Sequence, residues 1–238
     1  MTLASLGIKS SDDYSENLQK ILDNCNSLEA GAIALAPELC ITGYSLEDMI
    51  VASKFSKIAI SKFLLASKYK TICLTLLIEE NGKFFNRFFA FSDSKIIYTQ
   101  DKAKLFTLNN EDKYFESGKD SDINFFTIND LKIGVLICFE LRFTKLWEKL
   151  KGADIILIPA MWGLARKQHF EILTKALAVA NQCFVLASNS SNDDCAKSSA
   201  IITPFGISYQ NDDIEIISQK IDLSEITKMR RYLKTDVS

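Results

Sequence analysis

Cys138 is the residue whose position most suggests covalent catalysis. It closes the apolar run LKIGVLIC (131–138), which is typical of a buried strand, so its thiol would stand where that strand ends. A cysteine attacks a carbonyl only as a thiolate or with a base beside it, and a buried thiol without a base is inert. Two residues could supply the base: His169, the only histidine, and Glu38, which ends the apolar run AIALAPE (32–38).

The choice between these two bases stays open on spacing alone. His169 falls in a predicted helix with an apolar side that includes Phe170, Leu173 and Leu177, where a lone histidine is more often structural. Glu38 ends an apolar run, where burial favours uptake of a proton by a carboxylate and so suits it to act as a base. Glu38 could also be a helix-capping acid, because spacing does not distinguish these roles.

The composition restricts the other kinds of site. The chain has 238 residues and a formal net charge of −2, with basic residues scattered along it, so no concentrated surface for nucleic acid is expected. A single histidine excludes a multi-histidine metal site. The six cysteines are never closer than twelve positions, so no CxxC pair exists for zinc or a redox disulfide. The glycines are never closer than eleven positions, which excludes GxGxxG and GxxxxGK[ST] nucleotide loops. We therefore expect a small-molecule ligand.

The sequence also bears on location. No apolar run approaches the roughly 20 residues needed to span a bilayer, and the N-terminus lacks the pattern of a secretory signal. We therefore expect a cytoplasmic protein.

Apolar patterning alternates between helix and strand along the chain. Helices are predicted over 14–28, 46–69, 140–151 and 164–181, and strands over 32–38, 71–78, 131–138, 153–160 and 183–189. The segments 84–91 and 95–99, separated by Ser-Asp-Ser, predict a hairpin. This alternation favours a layered α/β fold with a mixed sheet. No Pro/Gly/Ser-rich linker interrupts it, so we expect one domain spanning 1–238.

Three of the buried strands end in polar or reactive residues, namely Glu38, Cys138 and Asn189. The carboxyl ends of strands are where open α/β sheets bind ligands. These three residues could therefore face one crevice.

Several groups of residues carry more information in their order than any one carries alone. They are PELCITGY (37–44), DKAKLF (101–106), Glu111 with Phe115 and Gly118, GVLICFELRF (134–143), GADIILIPAMW (152–162), His169, Asn181-Gln182, Asn189, Ser199 and Pro204-x-Gly206. Together they resemble the motifs of the nitrilase, or carbon–nitrogen hydrolase, superfamily. The resemblance extends from about residue 2 to about residue 223.

The resemblance implies a four-layer α-β-β-α sandwich with mixed sheets, and a catalytic group. Glu38 corresponds to the general base, Lys102 to the catalytic lysine and Cys138 to the nucleophile. Glu111 would orient Lys102 and the substrate. No metal or organic cofactor is implied. Relatives commonly pair through their helical layers, and the segment 164–181 is rich in Ala and Leu, so we expect a homodimer or higher homo-oligomer.

The side chains that would bind substrate are Tyr44, Phe139, Arg142 and Trp162. Arg142 could hold a substrate carboxylate or pair with a nearby acid, and neither interpretation is favoured. The motif CFELRF is similar to the C-[YF]-[DE]-x-R-F form found in small-acid amidases. It therefore implies hydrolysis of an amide in a small, carboxylate-bearing substrate, with release of ammonia through a cysteine thioester.

Other functions stay possible at this point. Within the superfamily, the chain could hydrolyse an N-carbamoyl amino acid or a nitrile. Cys138 and His169 could instead form a thiol hydrolase dyad, or the fold could serve a non-catalytic binding protein.

Overall fold

Two six-stranded mixed sheets form the centre of the protein, whose computed structural model describes residues 1–235. The first sheet contains β1 (Thr2–Leu6), β2 (Ile33–Leu35), β3 (Thr71–Glu80), β4 (Lys83–Ser92), β5 (Lys95–Asp101) and β12 (Ile216–Lys220), in the order β12-β1-β2-β3-β4-β5. The second sheet contains β6 (Phe126–Ile128), β7 (Leu131–Val135), β8 (Ile155–Ala160), β9 (Phe184–Asn189), β10 (Ala200–Ile202) and β11 (Ser208–Gln210), in the order β11-β10-β9-β8-β7-β6.

The two sheets share one pairing pattern. From β12 to β5 the successive pairs are antiparallel, parallel, parallel, antiparallel and antiparallel. From β6 to β11 the same series occurs. Each sheet therefore has three parallel strands beside one another. The carboxyl ends of these three strands lie at the same end of the sheet, which is where ligands bind in sheets of this kind.

Helices cover the outer faces of both sheets. They are α1 (Tyr14–Asn26), α2 (Met49–Ala66), α3 (Thr144–Lys149), α4 (Lys167–Asn181) and α5 (Ser224–Tyr232). Apolar side chains of α1 and α2 share a buried cluster with the first sheet, and those of α3 and α4 share one with the second sheet. None of the helices in the described part of the chain is long and apolar enough to cross a membrane.

The two sheets face each other through β1 and β9. The Ser5 hydroxyl donates to the carbonyl of Ala187 at 2.7 Å, and the Ser188 hydroxyl donates to the carbonyl of Leu6 at 3.0 Å. Inward-facing Leu3 and Leu35 lie in the same buried cluster as the second sheet. The architecture is thus the four-layer α-β-β-α sandwich with mixed sheets that the motif resemblance implied.

The structure corrects two predicted strand ends that matter for the site. The strand expected over 32–38 ends at Leu35, so Glu38 lies three residues beyond β2 rather than at its end. The hairpin of β4 and β5 forms as predicted, but the strand expected over 131–138 ends at Val135. Cys138 instead begins a 3-10 turn over Cys138–Arg142. Its backbone φ is +46°, in the left-handed region that an extended strand cannot adopt. The helix predicted over 140–151 is correspondingly shorter, because this turn occupies its first part.

Candidate active site

Glu38 is a fully buried carboxyl group held from both sheets. It follows β2 in the chain, and its Oε1 accepts hydrogen bonds from Lys102 Nζ at 2.7 Å and Asn86 Nδ2 at 2.8 Å. Its Oε2 accepts from the backbone N–H of Met161 at 3.1 Å. Asn86 lies on β4 and Met161 follows β8, so the carboxyl group is oriented by donors from two sheets.

Lys102 lies directly after β5 with no exposed side-chain surface. Besides Glu38, its Nζ donates to both carboxylate oxygens of Glu111 at 2.9 Å, and Tyr44 Oη is 3.5 Å away. Burial lowers the pKa of this ammonium, but the electrostatic interactions with Glu38, Tyr44, Cys138 and Glu111 together outweigh burial, so the pKa is raised well above its usual value. Lys102 is therefore held as a cation between two carboxyl groups.

Glu111 is positioned by the turn that follows Lys102 in the chain. It begins a 3-10 turn over Glu111–Lys113, and its Oε2 also accepts the backbone N–H of Phe106 at 2.6 Å. Burial raises the pKa of this carboxyl, and the Lys102 ammonium opposes that shift. The side chain therefore links the loop after β5 to the buried ammonium.

Cys138 faces this charged group with a protonated thiol. Burial raises the pKa of the thiol well above its usual value, and the negative charge of the neighbouring Glu38 raises it further. The left-handed backbone at Cys138 costs on the order of 1–3 kcal/mol and persists only where surrounding contacts hold it. Attack by this sulfur requires transfer of its proton to a base, and Glu38 is the carboxyl group in contact with it.

The four predicted substrate-binding residues line one cavity with Cys138. This Cys138 pocket has a volume of ≈ 150 Å³ and is bordered by Tyr44, Phe139, Arg142 and Trp162. In the described part of the chain, no group of three or more His, Cys, Asp or Glu side chains could hold a metal ion. The pocket thus offers a ligand aromatic surfaces and a guanidinium group beside the thiol.

A second arginine, Arg166, also lines the pocket. Burial lowers the pKa of Arg142, and the positive charge of Arg166 lowers it further. Arg142 lies over the Trp162 ring, 4.7 Å from its centroid, and Arg166 lies over the ring of Phe106 at 5.1 Å. Within residues 1–235 neither guanidinium forms an ion pair with a carboxylate. The acid partner considered for Arg142 is therefore not found among these residues.

His169 and Asn189 take positions behind the pocket. His169 is exposed on α4, and its Nδ1 forms a hydrogen bond with Arg142 Nη2 at 3.0 Å. Asn189 is fully buried; its Oδ1 accepts the backbone N–H of Trp162 at 2.7 Å. Of the three strand-end residues predicted to share a crevice, Glu38 and Cys138 meet directly. Asn189 instead fixes the backbone of a residue that lines the pocket.

Two residues of the site, Asn86 and Arg166, were not predicted from the sequence. Asn86 could have been noticed, because it is the one amide in the aromatic strand FFNRFFAF and is itself fully buried. A buried polar side chain of this kind requires a hydrogen-bonding partner, which here is Glu38. Arg166 has no comparable signal, since surface arginines are common and its place at the pocket follows from the turn before α4.

Comparison with known proteins gives a consistent result. Residues 2–231 match the family model described as carbon–nitrogen hydrolase. The chain is 32% identical over 234 residues to a 2-oxoglutaramate amidase of Bacillus subtilis, covering 92% of this chain and 89% of that protein.

Solved structures with similar folds include Nit3 of Saccharomyces cerevisiae, described as a member of branch 10 of the nitrilase superfamily. It has 22% identity and a TM-score of 0.85, with 99% and 95% of the two chains covered. Another is an amidase from Nesterenkonia sp. AN1 with the acetamide moiety of fluoroacetamide added covalently at its active-site cysteine. It has 17% identity and a TM-score of 0.80, with 98% and 94% covered.

Gly118 packs directly against the backbone that carries Lys102. Its N–H donates to the Lys102 carbonyl at 2.8 Å. A Cβ atom at this position would lie 2.4 Å from the carbonyl oxygen of Asp101, far inside van der Waals contact. The third member of the Glu111, Phe115 and Gly118 motif is therefore a glycine because the two chain segments approach too closely for a side chain.

We predict that Gly118→Ala displaces Lys102 from its carboxylate partners. A shift of about 1 Å in a catalytic group can cost on the order of a hundredfold in rate, so turnover should fall by that order. Steady-state kinetics together with thermal unfolding would measure it. Glu116→Ala is the matched control, because Glu116 is an exposed residue of the same loop. Equal turnover in Gly118→Ala and Glu116→Ala would contradict this account.

Proposed function

The chain belongs to the carbon–nitrogen hydrolase family, and we propose that it is an amidase that releases ammonia from a small, carboxylate-bearing amide. The observation that carries the proposal is the convergence of one thiol, one carboxyl group and one buried ammonium at a single pocket. Cys138 contacts Glu38, and Glu38 contacts Lys102 at 2.7 Å.

The first step of the proposed reaction is attack by Cys138 on the amide carbonyl. Glu38 accepts the thiol proton as the carbon–sulfur bond forms. The oxyanion that develops is stabilised by Lys102 and by the backbone N–H that follows Cys138. The ammonium donates to Glu38 Oε1 at 2.7 Å and to both Glu111 oxygens at 2.9 Å, whereas Tyr44 Oη at 3.5 Å is a long contact. An oxyanion would therefore take over one of the two N–H groups directed at Glu111, and loss of such a donor typically costs about 2.7–4 kcal/mol of transition-state stabilisation.

The second half of the reaction returns the enzyme to its starting state. The tetrahedral intermediate collapses, the carbon–nitrogen bond breaks, and protonated Glu38 gives its proton to the departing ammonia. A thioester of Cys138 is left. Glu38 then takes a proton from water as the water attacks the thioester, and the sulfur leaves as the thiol with that proton. Glu111 keeps Lys102 in place during both halves, because its two oxygens hold the ammonium at 2.9 Å.

The two guanidinium groups of the pocket favour a substrate that has a carboxylate at some distance from its amide. Arg142 and Arg166 have no carboxylate partner within the described residues, and the charge of Arg166 lowers the pKa of Arg142, so an anion between them would relieve their repulsion. The only acid that lines the pocket in this part of the chain is Asp194. The related Bacillus subtilis protein is a 2-oxoglutaramate amidase, and we propose monoamides of dicarboxylic acids, 2-oxoglutaramate among them, as the substrate class. N-carbamoyl amino acids and nitriles are the alternatives.

We predict that ammonia release is fastest with 2-oxoglutaramate among five compounds. The others are glutaric acid monoamide, glutamine, an N-carbamoyl amino acid and a small nitrile. Glutamine should be slower than its 2-oxo counterpart, because its ammonium group enters a pocket with two arginines. A colorimetric or enzyme-coupled ammonia assay would compare kcat/KM. The highest kcat/KM with the carbamoyl compound or the nitrile would replace the amide assignment.

We predict that Arg142→Met and Arg166→Met each raise KM for the monoamide of a dicarboxylic acid. Loss of a hydrogen bond to a charged group corresponds to roughly tenfold to a hundredfold in binding. Hydrolysis of a neutral amide such as butyramide should change little. Arg231→Met, on the exposed face of α5, serves as the control for a lost surface arginine. An equal KM change for the acidic and neutral amides would exclude carboxylate recognition.

We predict that Cys138→Ala, Cys138→Ser and Glu38→Gln lose turnover, while His169→Ala keeps appreciable activity if it folds. Glu38→Gln preserves shape but removes the proton acceptor, so turnover should fall by orders of magnitude. His169 contacts Arg142 rather than the thiol, so its removal deletes a contact at the edge of the pocket. Single-turnover kinetics with circular dichroism would test this. An active Glu38→Gln beside a folded, inactive His169→Ala would assign the base to histidine and favour the thiol dyad.

We predict that the protein forms a homodimer through α4 in the micromolar range. On the outer face of this helix, Ile172 is 63% exposed and Val179 is 42% exposed. Ile172→Glu should shift the sedimentation profile to monomer, because a charge would be buried in the contact. Ile58→Glu on α2, at the opposite face of the sandwich, is the control, since Ile58 is 54% exposed. A wild-type protein that sediments only as monomer would refute the prediction.

A further inference from the structure

A second buried carboxyl group, that of Glu140, joins the two chain segments that carry Lys102 and Cys138. Its Oε1 accepts the backbone N–H of Ala103 at 2.6 Å, and its Oε2 accepts the backbone N–H of Ile137 at 2.7 Å. Ala103 follows Lys102 in the chain and Ile137 precedes Cys138. One side chain thus fixes the backbone next to the ammonium and the backbone next to the thiol. We call this pair of hydrogen bonds the Glu140 clamp.

The clamp also closes the turn in which Cys138 is strained. Cys138 has a left-handed φ of +46°, and the Glu140 side chain reaches back across it to the N–H of Ile137. The Glu140 N–H donates to the Ile137 carbonyl at 3.0 Å, which closes the same turn through the backbone. A strained backbone conformation of this kind requires such surrounding contacts.

Nothing else in the site explains a carboxylic acid at this position. Glu140 is fully buried and does not line the Cys138 pocket. Within residues 1–235 it forms no ion pair, because the ammonium of Lys102 is bound to Glu38 and Glu111. A buried acid without a cationic partner carries a desolvation cost that an apolar residue of similar size would avoid. What an apolar residue could not do is accept two backbone N–H groups from separate segments.

We propose that Glu140 is a positioning residue, whose two backbone hydrogen bonds hold the Lys102 ammonium and the Cys138 thiol at the spacing that the reaction requires. This inference rests on the proposed function for its kinetic consequence. It goes beyond that function by assigning a role to a residue that touches neither substrate nor reacting atoms.

The protonation state of Glu140 should control the clamp. Burial raises the pKa of this carboxyl to about 7, while the N–H groups of Ile137, Ala103 and Lys104 and the charge of Lys102 oppose the shift. Tyr98 is the other titratable side chain that interacts with it. Above about pH 7 both oxygens accept. Below about pH 7 one oxygen carries a proton, so an O–H donor faces a backbone N–H donor and that hydrogen bond is lost. The clamp therefore weakens as the pH falls.

Stability should respond to pH in the opposite direction. The pKa of Glu140 in the folded protein, about 7, lies above the ordinary glutamate pKa of 4.5. Its contribution to folding is therefore fully present below about pH 4.5 and is lost as the pH rises through about 7. If Glu140 affected the reaction rate only through stability, the rate would fall as the pH rises from about 4.5 to about 7. If Glu140 is a positioning residue, the rate rises over the same range.

The experiment compares wild type with Glu140→Gln, whose amide can accept only one of the two N–H groups. Alkylation of Cys138 by 2-bromoethanol, which contains no amide, followed by peptide mass mapping, reports the thiol without any amide substrate, and kcat and KM for amide hydrolysis are measured in parallel. For alkylation and for kcat alike, the ratio of the wild-type rate to the Glu140→Gln rate should be near one at pH 5.5. It should rise through pH 7 to on the order of a hundredfold, as expected for a misplaced reacting group. KM should change far less than kcat.

Two controls keep the test decisive. Ser5→Ala removes a different buried hydrogen bond, the one between β1 and β9. It should lower the unfolding temperature, while the ratio of the wild-type rate to the Ser5→Ala rate stays constant with pH. If Glu140→Gln does not fold, Glu140→Asp keeps the charge but reaches only one N–H, so a smaller loss with the same pH step is expected. A rate ratio that is constant with pH in the folded variant would overturn the proposal. A normal alkylation step in a wild type that hydrolyses no amide would overturn the proposed function and leave the clamp standing.

Discussion

The burial of the Lys102 ammonium is the constraint on which the rest of the site depends. Taking a charged group out of water costs several kcal/mol unless it is paired, and removal of one partner from a buried pair typically costs about 3–5 kcal/mol. Lys102 has no exposed side-chain surface, so Glu38 and Glu111 must lie within hydrogen-bonding distance of it. Glu38 follows β2, Lys102 follows β5, and Glu111 begins a turn nine residues after Lys102. Their pairing therefore fixes the segment after β2 against the loop after β5, which is distant from it in sequence.

The same charge arrangement sets the resting state of Cys138. One ammonium faces two carboxyl groups, so the surroundings of the sulfur do not favour a second negative charge, and the thiol stays protonated. In the proposed reaction this places the proton transfer in the same step as attack on the carbonyl. Glu38 can take part without moving, because Asn86, Lys102 and the Met161 N–H already orient its carboxyl group.

The parts of the structure that the sequence predicted are those with strong patterns. The hairpin of β4 and β5 and the strands β8 and β9 are apolar runs, and hydropathy identifies them because they are buried. The end of the strand before Cys138 was predicted three residues too late. Cys138 has a left-handed backbone conformation held by the Glu140 side chain, and the apolar run VLIC contains no pattern that would predict it. Motif order placed Glu38, Lys102, Glu111 and Cys138 together, and their catalytic roles stay predictions. Arg166 was missed because its approach to Arg142 depends on tertiary structure alone.

The pairing of β12 with β1 has a consequence for biosynthesis. Thr2 pairs with Lys220 and Leu6 pairs with Ile216, so β1 is synthesised long before its partner β12 and cannot pair with it until then. Until then one side of β1 is an unpaired edge, which is a template for pairing with other chains. Contacts of such long range also form slowly, because the entropy of closing the intervening chain must be overcome first. A nascent chain stalled before β12 would thus hold all four residues of the candidate catalytic group and still expose an edge on which it can aggregate.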